Sequence, residues 1–216
     1  MVVKTETLGR LRRALLEALA VISPVYCAGC GTPDESLCAS CRIELTPVVT
    51  PRSLADGTTV FTALRYEGVV RRAILALKES GRTDVAGPLS VPLAEALARA
   101  TQPGAEVLVV PTSSAAWRRR GYDPVALLAK RAGVRHARVL RSVRRTASQK
   151  TLGASERSIN VSNSMVSRSA LHGRRFILVD DVVTTGATLN EASRAISAAG
   201  GEVVGRAALA FTPRIS

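Results

Sequence analysis

Aromatic side chains and long apolar runs are both scarce in this sequence of 216 residues. Phe, Trp and Tyr make up 3% of the chain while 46% of it is hydrophobic, so the core must be built from Val, Leu, Ile and Ala. No apolar stretch reaches the roughly 18 residues that a membrane-spanning helix needs. Residues 8–22 are amphipathic and include Glu17, which predicts a helix rather than an export signal. We therefore expect a cytoplasmic protein without a membrane span.

Acidic residues are scarce in one part of the chain. The net charge is +13, and residues 111–175 contain 15 Lys and Arg against 2 Asp and Glu, whereas residues 1–110 contain 12 against 11. Many charge runs are simply solvated faces. A cluster as one-sided as this one is more typical of a surface that meets an anionic ligand or nucleic acid.

Cysteine occurs only four times, always between positions 27 and 41. Cys27 and Cys30 form one C-x2-C pair, and Cys38 and Cys41 form another. This pattern predicts a tetrahedral zinc site, and four thiolates leave no open coordination position, so the zinc would be structural. The alternatives are four reduced thiols without metal or two disulfides, which are unusual in the cytoplasm. We expect residues 1–50 to form a helix and a zinc-binding module, and residues 51–216 to form the main domain.

Strand-like and helix-like patterns alternate along the rest of the chain. Strands are predicted at residues 59–66, 105–111, 137–140, 176–181 and 202–211. Helices are predicted at residues 69–80, 91–100, 123–133 and 187–199. In the third helix Asp123 is the expected N-cap and Pro124 lies in the first turn. The alternation predicts an α/β fold with a parallel sheet flanked by helices.

The stretch FILVDDVVTTGATL, residues 176–189, combines a buried-looking strand with an unusual polar continuation. Asp180 and Asp181 fall where ligands bind in parallel α/β sheets, beyond the carboxyl ends of the strands. Two carboxylates suit the vicinal hydroxyls of a ribose. The helix N-terminus that follows offers free N–H groups to a phosphate. Capping alone explains one acid and one threonine, but not this whole set, so the stretch predicts a ribose 5-phosphate pocket.

This stretch resembles the phosphoribosyl pyrophosphate (PRPP) motif of type I phosphoribosyltransferases. The cysteine pairs, LALKESGR, VVPTSSAAWRRRGYDPVALLAKRAG and RSVRRTASQKTLGASERSIN occur in the order typical of the ComF family. That family is named for its link to DNA uptake in competence. The resemblance covers nearly the whole chain, and it implies the type I phosphoribosyltransferase fold.

The resemblance also implies roles for individual residues. Asp180 and Asp181 would hold the ribose hydroxyls and act in catalysis, with Mg²⁺ bridging ribose and pyrophosphate. The 5-phosphate would lie against Thr184, Thr185, Gly186, Ala187 and Thr188. A pyrophosphate loop would consist of Thr112, Ser113 and Ser114, followed by Arg118, Arg119 and Arg120. A hood over the site would include Arg144, Arg145, Thr146 and Gln149.

Two functions follow as hypotheses. The first is an enzyme that transfers phosphoribosyl from PRPP to an acceptor such as a nucleobase and releases pyrophosphate. No general base stands out, because His136 and His172 fall at a predicted loop-strand junction and before a strand, positions that favour the surface over a catalytic role. The second is a non-enzymatic protein of DNA uptake that binds single-stranded DNA or a competence partner. It ranks second because single-strand binders use aromatic platforms, and only Trp117 and Tyr122 lie in the basic segment.

Overall fold

A five-stranded, mostly parallel sheet forms the centre of the molecule. The computed structural model describes residues 25–143 and 163–212. The strands are β1 (Thr50–Ser53), β2 (Thr59–Arg65), β3 (Glu106–Val109), β4 (Leu140–Ser142), β5 (Met165–Ser167), β6 (Arg175–Val183) and β7 (Glu202–Phe211). The central sheet has the order β1-β2-β7-β6-β3, and all its strands are parallel except β1, which pairs antiparallel with β2. Strands β4 and β5 form a separate antiparallel pair.

Helices cover both faces of the sheet. They are α1 (Ala39–Ile43), α2 (Gly68–Glu79), α3 (Ala86–Ala100), α4 (Ser114–Arg120), α5 (Pro124–Arg131) and α6 (Ala187–Ser197), with a 3-10 turn at Thr83–Val85. Residues of α2, α3 and α5 share one core with Ile177 and Val179 of β6. Residues of α6 share a second core with Phe176 and Leu178. The alternation of neighbouring β6 side chains between the two cores confirms a central strand that is buried on both faces.

The cysteine segment packs against helix α2. Cys27 and Cys41 belong to the same hydrophobic cluster as Ile74 and Leu77 of α2. Arg72 of α2 also donates a hydrogen bond to the carbonyl of Gly29. Apolar and polar contacts therefore cross the predicted boundary at residue 50. The division there stays a prediction that the two parts of the chain unfold separately.

Several element boundaries differ from the sequence predictions. Strand β6 continues two residues past Asp181, because Val182 and Val183 pair with Ala210 and Phe211 of β7. The strand predicted at 137–140 is displaced: Ala137 makes a single bridge to Leu108, and β4 begins at Leu140. Ser114 was predicted in a turn but begins helix α4. That helix escaped prediction because it has seven residues and none of them is buried, so it leaves no apolar stripe.

Some predictions fall outside the described residues. The helix at 8–22 is one of them, and so are the proposed hood residues Arg144, Arg145, Thr146 and Gln149. Within residues 25–143 and 163–212, none of the helices has the length and apolar character that crossing a membrane requires.

Candidate functional site

The two adjacent acids at the carboxyl end of β6 lie in different environments. The carboxylate of Asp181 faces helix α2, where Lys78 Nζ lies 2.9 Å from Oδ2 and 3.1 Å from Oδ1. The carboxylate of Asp180 instead accepts a hydrogen bond of 2.8 Å from the backbone N–H of Asp181. Asp181 is buried and Asp180 is half-buried. The strand thus presents one acid that is neutralised by a lysine and one that is not.

The carboxyl group of Asp180 is difficult to ionise. Burial in the protein, followed by the negative charge of Asp181, raises the pKa of Asp180 to about 7. The Asp181 N–H and the Lys78 cation oppose this shift, and Asp123 adds to it. A group that changes charge near neutral pH at the end of a parallel strand is typical of a functional site.

The predicted pyrophosphate loop lies beside the acid pair. The Val110 N–H continues the ladder between β3 and β6 by donating to the Val179 carbonyl at 3.0 Å. After it, the Thr112 N–H donates to Asp123 Oδ2 at 3.2 Å, and Ser113 caps helix α4 by accepting from the Ala116 N–H. Since Asp123 also acts on the pKa of Asp180, the loop and the acids are electrostatic neighbours.

The arginines after the loop are held by helix α2. Arg119 and Arg120 both bind the carboxylate of Glu79, at 2.7 and 3.0 Å. Nε of Arg120 is buried and has no hydrogen-bond partner within the described parts of the chain. Arg118 is exposed. Two of the three arginines predicted to contact pyrophosphate therefore form ion pairs with Glu79.

The threonine-rich loop leads directly into helix α6. Gly186 is the N-cap with φ +81°, and a Cβ at this position would lie 2.7 Å from Leu54 Cδ1. Thr185 Oγ1 accepts from the Ala187 N–H at 3.3 Å, and Thr188 is half-buried in the first turn. Thr184 and Thr185 are exposed and line a cavity of about 310 Å³ together with Arg52 and Phe211. Hydroxyl groups, a helix N-terminus and a nearby guanidinium suit a phosphate.

Three site residues were not assigned from the sequence. Lys78 and Glu79 lie in the stretch LALKESGR, which carried the family resemblance but had no assigned role. Arg52 lies in β1, and its guanidinium stacks 3.8 Å above the Phe211 ring. Their partners are distant in sequence, so no local pattern could have identified them. Asp123 was recognised only as the cap of α5, a role that its 3.0 Å bond from the Ala126 N–H confirms.

The four cysteines form a compact cluster of thiols. All four are free, and their Sγ atoms lie within 4.8 Å of one another. Cys30 Sγ and Cys38 Sγ are 3.5 Å apart. A tetrahedral zinc with Zn–S bonds of about 2.3 Å separates its sulfur atoms by roughly 3.8 Å. The cluster therefore has the ligands and the size for one zinc ion.

Hydrogen-bond donors favour the thiolate form of Cys27 and Cys38, whereas burial and the neighbouring thiols raise the pKa of Cys41. The N–H groups of Cys38 and Gly29 donate to Cys27 Sγ at 3.3 and 3.4 Å. Burial pushes the pKa of the Cys27 thiol upward, but the N–H donors outweigh burial and leave that pKa at about 6. A hydrogen bond from Ser40 is the largest contribution lowering the pKa of Cys38. Donors that stabilise thiolates support metal binding, because the thiolate is the form that binds zinc.

A basic groove lies on the β3 side of the molecule. Its cavity of about 1030 Å³ is lined by apolar residues of β3 and α5, and by Trp117 and Tyr122. Trp117 is 54% exposed, which is unusual for so large an apolar side chain. The groove also contains the exposed cations Lys130, Arg135, Arg138 and Arg168.

Comparison with known proteins identifies the main domain. Residues 84–214 match the phosphoribosyl transferase domain family. The chain belongs to this family. The match includes the loop at Thr112, the acid pair and the threonine-rich loop, and the mostly parallel sheet flanked by helices is the type I phosphoribosyltransferase fold.

Curated relatives of the chain include a competence protein and a DNA utilization protein. The chain is 35% identical over 94 residues to competence protein F of Haemophilus influenzae, a match that covers 40% of this chain and only 41% of that protein. It is 28% identical over 180 residues to DNA utilization protein YhgH of Escherichia coli, covering 76% of this chain and 79% of that protein. These similarities confirm the resemblance to the ComF family.

Solved structures similar to the chain include two phosphoribosyltransferases. The adenine phosphoribosyltransferase of Leishmania tarentolae is 13% identical with a TM-score of 0.39, covering 71% of this chain and 91% of that chain. The orotate phosphoribosyltransferase of Mycobacterium tuberculosis is 20% identical with a TM-score of 0.36, covering 80% and 94%.

Proposed function

We propose that the protein binds PRPP together with Mg²⁺ and transfers the phosphoribosyl group to an acceptor, with release of pyrophosphate. The observation that carries the proposal is that three features lie together at the carboxyl ends of the parallel strands. These are the acid pair, the loop at Thr112 and the threonine-rich start of α6. The ligand class follows from this chemistry, because carboxylates suit ribose hydroxyls and a helix N-terminus suits a phosphate.

Each group of residues has a separate role in the proposed reaction. Asp180 and Asp181 accept hydrogen bonds from the ribose hydroxyls, and the Thr184–Thr185 hydroxyls bind the 5-phosphate. An acceptor nitrogen attacks C1 of the ribose as the C1–oxygen bond breaks, and pyrophosphate leaves with the electron pair. The proton of the acceptor nitrogen passes to water or to the released pyrophosphate. When bound with PRPP, Mg²⁺ would supply positive charge to the departing pyrophosphate. Arg118, Arg119 and Arg120 supply further positive charge in this proposal, and Arg144, Arg145, Thr146 and Gln149 close the site.

The acid pair provides the first test. In Asp180→Asn/Asp181→Asn, each lost charge-assisted hydrogen bond costs about 1.5–3 kcal/mol, so the affinity for PRPP with Mg²⁺ should fall about a hundredfold or more. The measurement is calorimetric titration at fixed ionic strength, with a thermal melt to establish folding. Unchanged PRPP binding in the double variant would refute the site. Release of pyrophosphate across a panel of nucleobases then tests the transferase reaction.

A second candidate function is binding of single-stranded DNA in the basic groove. The names of the two relatives, competence protein F and DNA utilization protein, motivate it. The specific observation in its favour is that the exposed Trp117 lies among four exposed cations. Single-strand binders combine aromatic stacking with a positively charged path for the phosphates.

Trp117→Ala tests this second function. Loss of one stacking platform costs about 1–3 kcal/mol, so affinity for a short single strand should fall about tenfold. Fluorescence anisotropy measures it. Val91→Ala is the matched control, because Val91 is also an exposed apolar residue but lies on α3 outside the groove. Equal affinities of the two variants would exclude the groove. The double asparagine variant should keep its DNA affinity, because it removes only negative charge.

A further inference from the structure

Lys78 joins the last turn of helix α2 to the acid strand. Its Nζ reaches both oxygens of Asp181, which lies 103 positions further along the chain. The lysine and aspartate side chains are only 26% and 12% exposed. Such a pair is better protected from solvent screening than a surface ion pair, so its geometry is more strongly defined.

The charges around Asp181 make this lysine important. Asp180 is the next residue, and Asp123 is close enough to act on the pKa of Asp180. Without Lys78, the Asp181 carboxylate would be buried beside negative charge with no cation bound to it. Removing one partner of a buried ion pair leaves a charge that is costly to keep in place. Asp181 would then turn away from helix α2.

The position of Lys78 is itself fixed by its two neighbours. The hydroxyl of Tyr122 donates to the carbonyl of Leu77. The carboxylate of Glu79 binds Arg119 and Arg120 of helix α4. The end of α2 is therefore attached to the segment that follows the predicted pyrophosphate loop. A lysine on an anchored helix end is preorganised for a defined contact.

We propose that Lys78 is a positioning residue, which fixes the Asp181 carboxylate against helix α2 and thereby sets how the acid pair meets the ribose hydroxyls. This role rests on the proposed function, because the hydroxyls belong to bound PRPP. Lys78 acts through Asp181 and need not touch the ligand. Its effect must therefore disappear when Asp181 has no charge to be positioned.

A double-mutant cycle on the full chain tests this dependence. Calorimetry measures the affinity for PRPP with Mg²⁺ in the wild type and in Lys78→Met, Asp181→Asn and the combined variant. Lys78→Met should weaken binding about tenfold or more. In the Asp181→Asn background the same change should have no further effect. Lys78→Arg should bind nearly as the wild type does, because it keeps the cation. Arg71→Met is the matched control, since Arg71 is an exposed cation on the same helix.

Each outcome decides between the two proposals. If wild type binds PRPP and Lys78→Met behaves like Arg71→Met, the positioning role is wrong and the proposed function stands. If wild type binds no PRPP, the proposed function is wrong and this role falls with it. If Lys78→Met does not fold, the combined variant is measured in its place, because Lys78→Met with Asp181→Asn leaves no unpaired buried charge. A loss beyond that of Asp181→Asn would then show that Lys78 acts independently of Asp181, which overturns the proposal.

Discussion

Asp180 and Asp181 have different electrostatic partners. Lys78 neutralises Asp181, whereas Asp180 accepts a backbone N–H and lies next to like charge. Burial and the Asp181 charge raise the pKa of Asp180 to about 7, which means that the folded protein resists ionisation of this group. An acid kept at some cost in stability is typical of a site selected for binding.

The raised pKa of Asp180 predicts a specific pH dependence of stability. An aspartate in the unfolded chain ionises near pH 4. The protonated carboxyl group of Asp180 therefore favours the folded state in acid. This contribution to stability is lost as the pH rises from about 4 through the folded pKa of about 7. Asp180→Asn should therefore match the wild type near pH 4 and melt at a higher temperature at pH 8. Thermal melts between pH 4 and pH 8 measure this difference. A difference that stays constant with pH would contradict the shift.

Asp84 provides the control of opposite sign. A hydrogen bond from Arg82 is the main cause that lowers the pKa of Asp84 below its ordinary value. A lowered pKa contributes stability above the unfolded pKa, which is lost as the pH falls through the folded one. Asp84→Asn should therefore lower the melting temperature at pH 7, and this deficit should shrink in acid. Opposite trends for the two variants would attribute the effect to each carboxylate rather than to net charge.

At the residue scale, the sequence revealed local chemistry but not partners. Asp180, Asp181 and the threonines were predicted together because they are contiguous and follow a recognisable strand. Their unequal environments were not predicted, since the difference depends on Lys78, 103 residues away. The ion pairs of Glu79 with Arg119 and Arg120 were not predicted either, because these residues are also distant in sequence. Local patterns report residue type and spacing, whereas an ion pair between elements depends on packing.

At the scale of elements, helix α2 connects two sites. Gly29, beside the cysteines, lies so close to the helix that a Cβ there would be 3.0 Å from Val69. The last turn holds the acid strand through Lys78 and helix α4 through Glu79. The helix itself was predicted, at residues 69–80. Helices α1 and α4 and strands β1 and β5 were not, because each has at most one buried residue and so leaves no apolar pattern.

The start of helix α6 predicts an effect of a single methyl group. Gly186→Ala puts a side chain at φ +81° and brings its Cβ within 2.7 Å of Leu54. The free energy of unfolding should fall by about 1 kcal/mol or more, and PRPP affinity should fall because the threonine loop is displaced. Thermal melts and calorimetry measure the two effects. Adding Leu54→Ala should relieve the contact but not the backbone strain, so wild-type stability in the double variant would contradict this account.

Gly87 is the matched control for that substitution. It lies in the first turns of helix α3, its φ is not in the left-handed region, and a Cβ there would meet no atom within 4 Å. Gly87→Ala should be neutral or stabilise the protein by up to about 1 kcal/mol, since alanine loses less backbone entropy in a helix. A loss of stability equal to that of Gly186→Ala would show that glycine replacement in general, and not the loop, is responsible.

At the scale of the whole molecule, arginines from the basic stretch 111–175 lie at both ends of the parallel strands. Arg119 and Arg120 lie toward the carboxyl ends of the strands, near the acid pair. Arg174 and Arg175 lie at the amino ends of the strands. There Arg174 binds Glu106 at 2.8 Å, and Arg175 binds Glu202 at 3.5 Å. A count of charge along the sequence could not separate these groups, because the chain crosses the sheet within the basic segment.

The cysteine cluster and the sheet should respond differently to metal loss. Four thiolates complete one tetrahedral shell, so reduced protein should contain about one zinc per chain, as elemental analysis can establish. Chelation should speed amide exchange in residues 27–45, and then in helix α2, because α2 packs on this segment and binds the Gly29 carbonyl. Strands β6 and β7 should keep their protection, since each pairs with strands on both sides and packs against α3 or α6.

Two variants separate loss of the metal from a general loss of packing. Cys30→Ser removes the exposed ligand and should lower zinc content and reproduce the exchange pattern of the chelated protein. Ser40→Ala removes only the hydroxyl that lies 3.2 Å from Cys38 Sγ, so it keeps all four ligands and should retain one zinc, though with weaker affinity. Zinc-free wild type would refute the metal site. Equal loss of protection in β6 after chelation would instead refute the proposed division at residue 50, because the cysteine segment and the sheet would then unfold as one unit.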